Sequence, residues 1–439
     1  MSVRGNELDV RALKEGVEPV QLENTGGRGA LFGLTFGRML LTVLTLGIAR
    51  FWMVTRLRKF HWSAFRLDGE PFEYTGRPVE KLIGFLIAVA ILAVYLTVVN
   101  LALTFVGLSY FDGDAIVVNI SLLAIVPLGF WAQYRARRYI LARTRWRGIR
   151  FGAEHGAWSY MLRAIGLWLL TLATLGLTYP YQQMTLARFT TDRTWFGNLR
   201  FTQYGSTWPL FRSWLFVITP LLIVAAFGLY QWHDVWAELQ TIELLGEDGD
   251  ISAELGADQP VLSGLASFAG LTFLWGYIFY LRHSIFSFRY LNSHKVLADE
   301  TTFEFRLGFW QVVGVYIFGG LIIAILSTII LTIFGTFVGM FVYASGIDPA
   351  HLEGLMEGDI PFGEIAFLIG TAAIYLFAIV AIISLSQAFI TLPIMRLIAR
   401  TTEVYGLENL SRAQQRARDE QVEAGGFADA LGADVGGAF

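Results

Sequence analysis

The sequence predicts an all-α polytopic membrane protein: six full transmembrane helices, two short or re-entrant helices, internal repeats and small cytoplasmic β-hairpins. Three observations carry this expectation. The 439 residues are 55% hydrophobic and only 16% charged, against roughly 25% charged in an average soluble domain. The charges sit in short clusters between long apolar runs. Those clusters alternate along the chain between basic and acidic.

Taken in order, residues 1–30 are polar and lack the apolar core of a signal peptide, so they are expected to stay in the cytoplasm. A bilayer core of about 30 Å needs about 20 apolar residues in a helix. Five runs pass that length without a charge, at 82–108, 115–134, 213–232, 261–281 and 365–395. A sixth, 307–345, has 39 residues. It reads as a tilted helix continuing past the membrane, or as one broken near Gly319-Gly320 or Gly335. Two further runs are shorter. Only MLLTVLTLGIA lies between Arg38 and Arg50, and AIGLWLLTLATLGLTYPY after Arg163 ends at a proline corner, Pro180. Such lengths suit re-entrant or interfacial pieces.

Charge decides the topology. The stretches 109–114, 233–258 and 348–364 contain 2, 8 and 5 acidic residues and no Lys or Arg. The stretches 50–81, 135–150, 188–212, 282–306 and 396–418 hold nearly all the cations beyond the N-terminal segment. Cationic loops stay cytoplasmic. Letting both short runs cross fully would put the basic loop at 188–212 outside and the acidic loop at 233–258 inside. With both non-spanning, every basic loop is inside, every acidic loop outside and both termini cytoplasmic. The chain then divides into a polar segment at 1–30, a membrane repeat at 31–156 and a second at 157–306 with an acidic periplasmic loop at 233–260. A helical hairpin at 307–400 and a disordered cytoplasmic tail at 401–439 follow.

The short runs resemble each other: LLTVLTLGIARFW at 40–52 aligns with LLTLATLGLTYPY at 169–181, a shift of 129 residues. A second register, shifted by 79, sets FWMVTRLRKF at 51–60 on FWAQYRARRY at 130–139. Duplication is common in multi-pass proteins. A short extended piece follows each basic segment, at 64–76, 143–152, 194–205 and 297–308. Each has a turn signal (Asp68-Gly69, Gly148, Gly197-Asn198, Asp299-Glu300) between residues that alternate polar and aromatic. That is a hairpin pattern. A single hairpin is marginal in water. Four on one membrane face are expected to pair, packing Phe72, Tyr74, Phe151, Phe201, Phe303 and Phe305 together.

The segments TLGIARFWMVTRLRKFHWSAFRLDGEPFEYTGRPVEKLIGFL, RARRYILARTRWRGIRFG and LLTLATLGLTYP resemble the YjgN-like family of bacterial inner-membrane proteins of unknown function. The resemblance is dense over 31–84, 130–151 and 165–212 and thinner over 261–400. It implies a multi-pass protein of the bacterial inner membrane and supplies no catalytic residues.

No catalytic motif appears, so no enzyme is expected. Cysteine is absent, which removes disulfides, thiolate metal sites and thiol nucleophiles. The six histidines are scattered, and Glu154-His155 has no second ligand at helical spacing. No metal and no cofactor are expected. The candidate site is basic: Arg135, Arg137, Arg138, Arg143, Arg145, Arg147 and Arg150, with a smaller copy at Arg50, Arg56, Arg58 and Lys59. The plain reading is a topology signal; the functional one is anionic-lipid headgroup binding, at about 1 kcal/mol per charge near such a leaflet. Asn100 and Asn119 are intramembrane polar candidates, as helix glue or as part of a substrate path. Partners are expected to be the bilayer, anionic lipids and a second copy of the chain, and not nucleic acid. The preferred reading is a transporter or channel-like protein; the alternative is a non-transporting scaffold that binds anionic lipids or a protein partner through its basic cytoplasmic face.

Overall fold

The computed structural model describes residues 10, 12–110, 125–230, 232, 236, 260–345 and 362–416. Its centre is a closed barrel of ten antiparallel strands. This corrects the all-α expectation: the hairpins are not accessories to a helical bundle but the ring in which the helices are rooted. The strands escaped notice as a framework because each is short, three to five residues. Joined edge to edge they leave no unpaired rim, which is what makes so small a sheet self-sufficient.

The ring contains five successive strand–helix–helix–strand units. The first is β1 (Val20–Asn24), α1 (Arg28–Leu44), α2 (Arg50–Ala64) and β2 (Phe65–Leu67). The second is β3 (Glu70–Tyr74), α3 (Pro78–Tyr110), α4 (Ile125–Arg143) and β4 (Thr144–Trp146). The third is β5 (Ile149–Ala153), α5 (Ala157–Ala173), α6 (Tyr179–Thr191) and β6 (Thr194–Phe196). The fourth is β7 (Leu199–Gln203), α7 (Trp208–Tyr230), α8 (Pro260–Ser293) and β8 (Lys295–Leu297). The fifth is β9 (Thr301–Phe305), α9 (Phe309–Ser345), α10 (Phe362–Ser386), a π-turn at Gln387–Thr391, α11 (Leu392–Arg400) and β10 (Thr402–Tyr405). Tight hairpins join consecutive units, and β10 pairs with β1 to close the ring.

Turn chemistry sets the hairpins. Asp68-Gly69 and Arg147-Gly148 take positive φ at both positions (54° and 74°, 49° and 75°), as a two-residue hairpin loop requires. One backbone bond recurs in every unit. The N–H just after the outgoing strand donates to the carbonyl just before the incoming one: Thr25 to Ala64, Thr75 to Arg143, Glu154 to Arg193, Tyr204 to His294 and Arg306 to Thr401, at 2.8–2.9 Å. Carbonyls at a helix C-terminus lack partners within the helix. Here the neighbouring strand end satisfies them and locks helix to barrel.

Side chains alternate across each strand. The inward middle layer is apolar throughout, in register pairs Leu22–Leu67, Phe72–Trp146, Phe151–Phe196, Phe201–Leu297 and Phe303–Val404. Phe72, Phe151, Phe201 and Phe303 thus form a ladder, with ring centroids 6.2–6.5 Å apart at each step. Tyr74 and Phe305, expected beside them, stand one layer nearer the helices. Burying a large apolar side chain stabilises by about 1.5–3 kcal/mol, so this layer carries much of the barrel. Its far end is stoppered by a 3₁₀ turn, Leu407–Arg412, whose Leu407 and Leu410 pack on Trp146, Phe196 and Leu297. Residues 402–412 had read as part of a disordered tail; they are the last strand and the stopper.

Among the described residues four helices are long and apolar enough to cross a membrane, over Pro78–Ala102, Trp208–Tyr230, Phe309–Met340 and Ile369–Arg400. Their outer faces expose large apolar side chains, among them Ile91, Val94, Phe337 and Ile369, on a scale that soluble monomers avoid. The run at 307–345 is one continuous helix from Phe309, without a break at Gly319-Gly320 or Gly335. Gly319 faces the Phe389 carbonyl of the π-turn so closely that a Cβ there would collide with it.

The two short runs reverse. After α1 the chain turns at Thr45-Leu46-Gly47 and returns in α2; after α5 it turns at Thr174-Leu175-Gly176 and returns in α6. Both turns place leucine and then glycine at positive φ (49° and 95°, 51° and 88°) and close with the glycine N–H donating to the carbonyl five residues back, at 2.7 Å. This is a Schellman closure. Leu46 at the first tip is 96% exposed and Leu175 at the second 72%.

Candidate functional site

At the helical end of the barrel, above the phenylalanine ladder, lies a cavity of about 190 Å³. The strands supply its floor; the last turns of α2, α4, α6 and α8 supply Trp62, Arg137, Leu141, Thr191 and Asn292. Arg137 and Lys295 are its two ionisable residues, and no Asp or Glu is among the described residues that line it.

The first residue of each incoming strand points into this layer, at matched register: Phe65, Thr144, Thr194, Lys295 and Thr402. The three threonines do the same job. Their hydroxyls donate to the carbonyl four residues back on the preceding helix, Ile140, Thr190 and Ile398, at 2.7–2.9 Å. Lys295 breaks the pattern, donating instead to Asn292 Oδ1 at 2.7 Å. Burial, and then the Arg137 charge, push its ammonium down from 10.5 to about 7. Two like charges sharing a poorly solvated space disfavour each other. Arg137 donates a long bond of 3.4 Å to Thr194 Oγ1.

The basic residues singled out in the sequence divide three ways. Some are structural: Arg58 packs on the Tyr74 ring and reaches its hydroxyl, Arg138 donates to the Ala153 carbonyl and meets His155, and Arg143 pairs with Glu80 at 2.9 Å. Others lie on the outside. Arg56 and Lys59 are exposed on α2, and Arg135 lies over the Trp131 ring. Arg145 and Arg150 sit opposite each other on the outer wall, with Arg200 two strands further on, and Arg147 reaches Asp68 from its turn. Arg137 alone of the eleven enters the cavity. Asn100 is exposed on α3, and Asn119 lies outside the described residues, as does the acidic loop at 233–260 except Trp236 and Pro260. Among the described residues no group of histidines and carboxylates is arranged to hold a metal.

Sequence reasoning missed Lys295, Asn292 and the cavity threonines. The available signal was positional: the first residue of the incoming strand is threonine in three units, lysine in one and phenylalanine in one. A family of bacterial proteins of unknown function, DUF898, matches residues 19–329. No curated protein and no solved structure matches the chain.

Proposed function

Taking as premise that this chain belongs to the DUF898 family of bacterial proteins of unknown function, we propose that it is a multi-pass inner-membrane scaffold, holding anionic lipid headgroups against the outer wall of a cytoplasmic barrel. The observation that carries this reading is the stoppered barrel. Its middle layer is apolar and its far end is closed by Leu407 and Leu410, so the ring, although it encloses a cavity, serves as a platform rather than a conduit. Every helix pair is rooted in that platform, and the three long pairs supply six spans.

The orientation follows from where the cations collect. All five basic stretches converge on the ring, and cationic segments stay cytoplasmic. The two short helix pairs would then dip into the inner leaflet with Leu46 and Leu175 foremost, returning without crossing. Arg145, Arg150 and Arg200 on the outer wall face the headgroup zone, where each contributes about 1 kcal/mol. The five units, with matched turns and matched bonds, read as copies of one ancestral element.

Because the chain has no cysteine, single introduced thiols test the orientation cleanly. Asn198→Cys in a hairpin turn should resist an impermeant maleimide in intact cells, and Glu247→Cys in the acidic loop should react. Bound phosphatidylglycerol or cardiolipin, seen by native mass spectrometry, should fall in the triple variant Arg145→Gln, Arg150→Gln, Arg200→Gln. Saturable solute flux in proteoliposomes, or equal labelling of both thiols, would overturn the reading.

A further inference from the structure

We propose that the cavity inside the barrel binds a small organic monoanion: a carboxylate carrying a compact apolar body of about the size of benzoate. This concerns the inside of the ring and stands apart from lipid binding on its outer wall.

The cavity has two chemically different ends. Its floor is the phenylalanine ladder with Trp146, offering ring faces and edges; its roof brings Arg137 and Lys295 together, with Thr194 and Asn292 beside them. An apolar cavity of about 150 Å³ takes up benzene, and about 190 Å³ adds room for a carboxylate. A phospholipid is far too large. Inorganic phosphate suits the roof but not the floor, since its charge is spread over every face and would meet bare aromatic carbon. A neutral aromatic suits the floor and leaves the two cations facing each other. A compact arylcarboxylate matches both ends.

Lys295 carries the argument. A threonine meets the structural need at this register in three other units, bonding back to the helix carbonyl. Lysine there closes the helix through Asn292 instead and brings into the interior a charge that the barrel does not need. An ammonium has three donors. Asn292 Oδ1 takes one, and a carboxylate between Lys295 and Arg137 can take another. An anion in this position offsets the repulsion between the two cations, which is strongest in such poorly solvated surroundings.

The test uses the full-length protein in detergent with 4-fluorobenzoate followed by ¹⁹F NMR. The expected result is saturable line broadening, relieved by benzoate and not by phosphate or benzyl alcohol. Lys295→Met removes a buried charge and keeps the fold, checked by gel filtration and melting; it should weaken binding about tenfold or more, one charge-assisted hydrogen bond's worth. Phe201→Trp leaves both cations in place but fills the cavity, and should abolish binding. Benzoate should raise the melting temperature of the wild type, raise that of Lys295→Met less at the same concentration, and leave that of Phe201→Trp unchanged. Unsaturable broadening, displacement by phosphate as effective as by benzoate, or both variants binding like wild type would each overturn the proposal.

Discussion

Phe151 and Phe196 stand directly opposite each other across β5 and β6, their ring centroids 4.9 Å apart. Phe196 is 1% exposed and also meets the Trp146 ring at 5.8 Å. Phe196→Ala should therefore cost about 3–5 kcal/mol, read as a lower urea midpoint in detergent. A double-mutant cycle with Phe151→Ala should return a coupling of about 0.5–1.5 kcal/mol. Additive losses would mean that the rings do not pack as described.

Two ion pairs near the same hairpin should behave differently. Arg143 and Glu80 are mostly shielded from water, and Tyr139 also donates to Glu80 at 3.1 Å; Arg143→Met should cost about 1–3 kcal/mol. Arg147 and Asp68 are 40% and 53% exposed, and Arg147→Met should cost under about 1 kcal/mol. Thermal melts in low and high salt check the contrast. Salt should erase the second effect and leave most of the first, since exposed pairs are the ones that ions screen.

Stability should rise with pH across the window set by Lys295. Its proton is held less tightly in the folded chain, at about 7 against 10.5 ordinarily. Below about 7 both states are charged and the burial cost is fully present. Between the two values the unfolded chain binds more protons, so folding gains as pH increases. Lys295→Met should flatten that rise in pH-dependent unfolding. Among the described residues lining the cavity, Arg137 is the other ionisable group, and burial lowers its pKa too. Arylcarboxylate affinity should fall over the same window, because the bound anion needs the ammonium form.

Leu410 is 7% exposed and holds the stopper on the barrel end. Leu410→Ala should cost about 2–5 kcal/mol or release the turn locally. In the second case trypsin should cut faster after Arg412, which in the intact protein is tied to Glu300. Unchanged stability and unchanged cleavage would leave the stopper without a role.

The legible parts of the fold were those written in short-range chemistry. Asp68-Gly69 and Gly148 announced turns because few other residues accept positive φ, and the aromatics at 72, 151, 201 and 303 kept period two. The reversals at Leu46-Gly47 and Leu175-Gly176 showed only as runs too short to cross. What stayed hidden was long-range. Nothing local in Val20–Asn24 says that it pairs with Thr402–Tyr405, so the closing strand looked like the start of a tail. With the seam invisible, four hairpins looked like ornaments on helices. The cavity was hidden for the same reason. Lys295 is one cation among many in a basic stretch until ring closure places it beside the same cavity as Arg137, whose own side chain was read with neighbours that turn out to be structural or to point outward.

The seam between β1 and β10 has a consequence for biogenesis. Domains assemble from the N-terminus as the ribosome delivers them, yet the first strand here must wait for a partner encoded almost four hundred residues later. Until β10 has been translated, the edge of β1 has no partner strand there, and the nascent sheet is left with two open margins. A premature stop anywhere before residue 402 would therefore do more than shorten the product. It would leave those margins open to neighbouring chains, and such fragments should aggregate or be degraded rather than persist as smaller working proteins.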